Sequence, residues 1–190
     1  MATATQSTLS KFKGALPYGG ARPSLFEVTV AKPSAVTGSF DNMKTQCTVS
    51  AIPPLTVTPI ERQYFGRTVK IPGDMVFGDL STTIMNTEKY PIRDMVDEWM
   101  DGINTHVGNI SYSDNASWQG TVTLTQYSKE GKSLMVYTFE DCWPQTVSEI
   151  ALSYDTASDI ETFDITWAYN YYTSKPGDST NVTTTYATQV

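Results

Sequence analysis

Few residues in this 190-residue chain have types and spacing that could do chemistry. His106 is its single histidine, and no ligand or base partner stands beside it at a motif spacing. A general base or metal ligand needs such partners. Its place just after an expected helix instead suits a cation at the negative end of the helix dipole. Gly131-Lys132-Ser133 looks like the end of a phosphate loop. That motif also needs a glycine where the chain has Gln126, and a strand-to-helix junction where strands are expected on both sides. Asp94, Asp97, Glu98 and Asp101 would be neighbours on a helix and could look like a cation cluster; a solvated helix face explains them fully and is the expected reading. Cys47 and Cys142 sit in apolar, strand-like runs with no CxxC or Cys/His spacing, so both are expected to be free buried thiols. No Ser/His/Asp set, nucleophile elbow or EF-hand loop is present. The expectation is a chain that is not an enzyme and holds no metal or cofactor.

Composition narrows the classes further. Hydrophobic residues make up 39% of the chain and aromatic residues 12%, enough for a packed, strand-rich core. The length is that of one domain with arms. A net charge of −7 works against gripping DNA and against anionic membranes. No window approaches the ~20 apolar residues of a membrane span, so no membrane insertion is expected. The first ten residues have no apolar signal core, and synthesis in a cytoplasm follows as an expectation. The glycosylation sequons at Asn109, Asn115 and Asn181 are then chance matches.

The elements that must position any site come from the hydrophobic pattern. Residues 1–23 are rich in Ala, Thr, Ser and Gly and read as an N-terminal arm. Strands are expected at 24–31 and 44–52, the second stopped by Pro53-Pro54. Residues 55–72 read as an extended region, a hairpin around Gly66. Residues 78–85 alternate Leu80, Thr82 and Ile84 against Asp79, Ser81 and Thr83, as a half-buried strand does. Ile92, Met95, Val96, Trp99, Met100 and Ile103 recur at helical spacing behind Pro91, predicting a helix over about 91–104. Strands follow at 120–127 and 133–142 around a Gly131 turn, at 147–154, and at 161–172. In the last, Phe163, Ile165, Trp167, Tyr169 and Tyr171 are expected on one face, with Asp164, Thr166, Ala168, Asn170 and Tyr172 on the other. The prediction is a mainly β fold, a β-sandwich or barrel with one flanking helix. Its body would be 24–172, with 173–190 a Thr-rich C-terminal tail.

Several runs, taken in order, resemble the tail tube protein of contractile-tailed phages of the T4 type. Ala-Arg-Pro-Ser-Leu-Phe-Glu-Val at 21–28 resembles that family's opening strand, and Gln-Cys-Thr-Val-Ser-Ala-Ile-Pro at 46–53 its second. Gly-Arg-Thr-Val-Lys-Ile-Pro-Gly-Asp at 66–74 is similar to its long extended loop. Leu-Ser-Thr-Thr-Ile-Met-Asn-Thr-Glu at 80–88 is similar to the strand entering its helix. Trp-Pro-Gln-Thr-Val-Ser-Glu-Ile at 143–150 and Ile-Glu-Thr-Phe-Asp-Ile-Thr at 160–166 resemble its last two strands. The likeness covers 21–172; the longer N-terminal arm and the Thr-rich tail depart from it.

The resemblance implies two packed antiparallel sheets with a flanking helix. It implies six-subunit rings stacked into a tube in the virion tail, made and assembled in the host bacterial cytoplasm. A sheath would surround the tube, and baseplate and tail-terminator proteins would end it. A tape-measure protein would fill it until DNA passes through without specific binding. A conduit of this kind must not hold phosphate, and a lining without cations meets that need. Asp79, Ser81, Thr83, Thr121, Thr123, Thr125, Asp164, Thr166 and Asn170 have that character and are the expected lumen residues. Ile60, Tyr64, Phe65, Arg67 and Ile71 lie in a loop too apolar for a free surface and are expected to contact the adjacent ring. The inner tube of a phage-derived injection machine is an alternative. So is a monomeric sugar-binding β-sandwich using Trp118, Trp143 and Trp167.

Overall fold

The computed structural model describes residues 9–16, 19–111, 117–156 and 159–177. The sequons at Asn115 and Asn181, the start of the arm and the tail beyond Gly177 lie outside the described residues. The chain forms two compact units: one of residues 1–26, 125–136 and 174–190, the other of 27–124 and 137–173.

In chain order the elements are α1 (Leu9–Ala15), β1 (Phe26–Ala31), α2 (Met43–Gln46), β2 (Cys47–Ser50), β3 (Leu55–Tyr64) and β4 (Arg67–Phe77). There follow β5 (Leu80–Met85), α3 (Pro91–Ile103), β6 (Gly120–Tyr127), β7 (Ser133–Val147), β8 (Thr162–Ala168) and β9 (Tyr171–Pro176). The fold is mainly β, with two sheets. A seven-stranded sheet runs β1-β6-β7-β8-β5-β2, with β9 paired to β7; β3 and β4 form a two-stranded sheet of their own. The β2–β5, β5–β8, β7–β8 and β3–β4 pairs are antiparallel. Besides the expected helix there are two short ones, α1 in the arm and α2 leading into β2.

The buried core lies in the larger unit. Alternation on β5 buries Leu80, Thr82 and Ile84, and alternation on β8 buries Phe163, Ile165 and Trp167. Helix α3 covers them with Ile92, Met95, Val96 and Trp99, the stripe expected from their spacing. Pro91 sits in its first turn, and Tyr90 before it turns left-handed at φ 49°, held by its hydroxyl on Glu161 Oε2 at 2.6 Å. Trp99 is fully buried, 5.8 Å from the Trp167 ring and 6.1 Å from Phe40. Its Nε1 donates to the Trp118 carbonyl at 2.7 Å. Gly120 makes this approach possible: a Cβ there would lie 2.6 Å from the Trp99 ring and 2.7 Å from the Ala31 carbonyl oxygen. Thr82, the buried polar residue, satisfies the other indole by accepting from Trp167 Nε1 at 3.0 Å.

Two expectations need correction. Residues 148–153 are not a strand; β7 instead runs on through Cys142 to Val147, and a short 3-10 turn, Tyr154–Thr156, follows. Asp141, at φ 56°, jogs β7 without ending it. Leu152 and Tyr154, apolar on paper, are 79% and 104% exposed. The strand expected over 161–172 is two strands broken at Tyr169-Asn170. The Asn170 N–H donates to the Glu140 carbonyl and its Nδ2 to Asp141 Oδ2. That break shifts the alternation by one residue. Tyr171 turns outward, and Tyr172 packs with Phe77, Tyr137, Phe139 and Tyr169.

Candidate functional site

Two surfaces stand out: the face of the large sheet turned away from the core, and the free-standing hairpin. On β5 and β8, period-two geometry puts Ser81, Thr83, Asp164 and Thr166 opposite the buried residues. The antiparallel register sets Ser81 across from Thr166 and Thr83 across from Asp164. The Thr83 hydroxyl donates to Asp164 Oδ1 at 2.5 Å, and the Asp164 N–H donates to Ser148 Oγ at 2.8 Å. On β6, Thr121 and Thr123 alternate with buried Val122 and Leu124, and Thr121 Oγ1 donates to Glu140 Oε2 on β7 at 3.2 Å. Asp79 is exposed just before β5.

Asn170 is exposed beyond the end of β8, in the bend, and Thr125 belongs to the smaller unit. Glu140 and Asp141 on β7 are not among the expected residues. Strand alternation beside buried Phe139 turns Glu140 to the opposite face, a signal the sequence carried; the positive φ of Asp141 left none. Strands β1, β2 and β5 to β8 contain no Lys or Arg, and they carry Glu27, Glu140, Asp141 and Asp164. These six strands present small hydroxyls and carboxylates; the cations beside them are Lys175 on β9 of the same sheet and Lys44, paired with Glu27 at 3.2 Å.

The hairpin is a different surface. Strands β3 and β4 pair from Leu55–Phe77 to Tyr64–Arg67, with Ile60 across from Ile71 and Pro59 across from Pro72. Every residue of β3 is exposed. Ile60 and Ile71 are 47% and 48% exposed, and Tyr64 67%. The tip is Phe65-Gly66, both at positive φ (45° and 74°), as the tight hairpin turn requires. Arg67 follows directly. Such a run of exposed apolar residues is the mark of a contact surface.

The chemistry-bearing residues do not gather. Asp97 pairs with Arg93 at 3.1 Å, Glu98 accepts from Thr37, and Asp101 accepts from His106 Nδ1 at 2.6 Å. That bond holds the Asp101 carboxyl below its usual range. Among the described residues no group of three or more His, Cys, Asp or Glu could hold a metal ion. Gly131-Lys132-Ser133 closes the β6–β7 turn. There the Ser128 N–H donates to the Lys132 carbonyl at 2.8 Å, and Gly131 is at φ 77°. Both cysteines are free. Cys142 is buried and Cys47 half-buried, and burial pushes their thiols up to about 12 and about 11, so neither is a thiolate near neutral pH. Trp167 is wholly inside, which removes it from any sugar platform; Trp118 and Trp143 pack edge to face at 6.3 Å.

Residues 21–175 match the family model for the phage tail tube protein. The chain belongs to the phage tail tube protein family. It is similar to the tail tube protein gp19 of Enterobacteria phage T4, 27% identical over 153 residues that span 80% of this chain and 90% of the T4 protein. The tail tube protein gp19 of Enterobacteria phage T6 matches to the same extent. The fold is shared more widely. A chain of the anti-feeding prophage baseplate superposes with a TM-score of 0.65 at 11% identity, covering 83% of this chain and 96% of that one. A chain of the sheath–tube complex of an extracellular contractile injection system gives 0.61 at 16%, covering 90% and 99%. A tail tube protein is a structural subunit of the virion tail.

Proposed function

We propose that the chain forms six-membered rings that stack into the hollow tube of a contractile tail. The sheet face of Ser81, Thr83, Thr121, Thr123, Asp164 and Thr166 lines the lumen, with Asp79, Thr125 and Asn170 at its margins. Ile60, Tyr64, Phe65, Arg67 and Ile71 on the hairpin contact the next ring. The observation that carries the reading is the absence of Lys and Arg from strands β1, β2 and β5 to β8. A lining that offers phosphate no counter-charge lets a polyanion slide. In this account the subunit works by shape and by failing to bind, with no catalytic step. Residues 24–172 are the body of the ring, and 1–23 and 173–190 are arms. The sheath–tube complex of the extracellular injection system supports a sheath partner, and the prophage baseplate a baseplate partner. A terminator, a tape-measure protein inside the tube and assembly in the host cytoplasm complete the proposal. The injection-system fold relatives make a toxin-carrying inner tube the second reading; the T4 and T6 similarity favours the phage.

Changing Ser81 and Asp164 together to Lys tests the lumen. Both are exposed and only the Thr83–Asp164 hydrogen bond is lost, so folding should shift by about 1 kcal/mol or less. The new cations recur in every subunit, and the summed field turns attractive to phosphate. Genome ejection from particles with matched tails should slow at low salt and recover at high salt. Ejection at the parental rate in low salt would show that this face does not meet the DNA.

A further inference from the structure

The hairpin tip holds a residue in a conformation its type disfavours. Phe65 is at φ 45°, where Asn or Gly is at home and a bulky side chain is strained. Its ring is 90% exposed, with only a T-shaped contact to Tyr64 at 4.6 Å among the described aromatic pairs. Among the described residues neither local conformation nor packing favours phenylalanine here, which suits a contact outside the chain.

The smaller unit holds a cavity of about 430 Å³ bordered by the end of α1, residues 20–22 and the β6–β7 turn. Roughly 150 Å³ suffices for a benzene ring, so this space admits an aromatic pair. Leu16, Ala21 and Leu134 give it apolar walls, while Arg22, Lys129 and the Lys132–Glu130 ion pair, at 3.1 Å, stand around them. Leu16 and Leu134 are 41% and 38% exposed, open to an incoming group. Cations beside an apolar floor suit the negative faces of aromatic rings.

We propose that Tyr64 and Phe65 at the hairpin tip of one copy seat in this cavity of a copy in the adjacent ring. The occupant is a second copy of this chain, and the fit is an aromatic knob in a cation-rimmed apolar hole. The proposal rests on the reading of the hairpin as an inter-ring contact and supplies its receptor.

Three changes to the full-length chain test it. Phe65→Asn puts a residue suited to positive φ at the tip, so melting should hold or rise. Loss of a central aromatic anchor should raise the concentration needed for tubes about thirtyfold. Leu16→Glu, at the hole, should impair stacking to a similar degree while the subunit stays folded. Phe65→Cys combined with Leu16→Cys, under mild oxidant, should give a ladder of covalent multimers from tubes, absent from either single variant. If Phe65→Asn blocks stacking but Leu16→Glu stacks normally and no ladder forms, the cavity is not the receptor and the hairpin reading survives. If Phe65→Asn tubes form at the parental concentration, both are overturned. A disulfide confined to single chains overturns the inter-copy seat.

Discussion

Trp99→Ala is expected to cost about 3–5 kcal/mol of stability, the range for truncating a large buried aromatic. The indole is wholly enclosed, lies against Trp167 and Phe40, and fills the space that Gly120 leaves open. Truncation creates a cavity and leaves the Trp118 carbonyl without its indole donor. For a chain of this length each kcal/mol lowers the melting temperature by roughly 2–4 °C, so the midpoint should fall by roughly 6–20 °C. Tyr154→Ala, at a fully exposed ring, is the control and should move it by less than ~0.5 kcal/mol. Thermal melts of the two variants side by side decide. An unchanged midpoint for Trp99→Ala would mean that α3 does not close the core.

The second large effect concerns assembly. Ile60 and Ile71 face each other across β3 and β4, each about half exposed. Ile60→Glu with Ile71→Lys replaces the apolar pair by opposite charges that still suit a cross-strand position. The hairpin should form and the melting temperature should hold. Burying each isoleucine between rings is worth about 1.5–3 kcal/mol, and the contact repeats in every subunit. The double variant should therefore leave single rings in sedimentation at concentrations where the parental chain forms tubes. Tubes at the parental concentration would show that this face packs against nothing in the next ring.

Strong periodicity made much of this legible in the sequence. Leu80, Thr82 and Ile84 fix which side of β5 is inside, and the Met95–Trp99 stripe fixes the helix. Gly66 marks the hairpin turn because a tight turn needs positive φ there. What stayed hidden came from single-residue irregularities. A period-two reading carried past Asn170 turns every later side chain to the wrong face, which is why Tyr171 and Tyr172 exchange places. Asp141 gives no turn signal, yet its positive φ lets β7 jog and run on. Pro144 looked like the margin of a strand, but it pairs with Trp167 inside the ladder. The helix α1 lies in a segment whose Ala, Ser and Thr content suggests only an arm. The hydroxyl-rich sheet face was legible as a polar alternation. Its freedom from cations across six strands emerged only once the sheet order brought those strands together.

The most direct test of the account is a cryo-EM map of what the purified chain assembles into. Hollow tubes of stacked six-membered rings are expected, with Ser81 and Asp164 facing the channel and the β3–β4 hairpin crossing each ring junction. A preparation that stays monomeric at all concentrations, or a tube map with Ser81 and Asp164 enclosed between sheets, would contradict it.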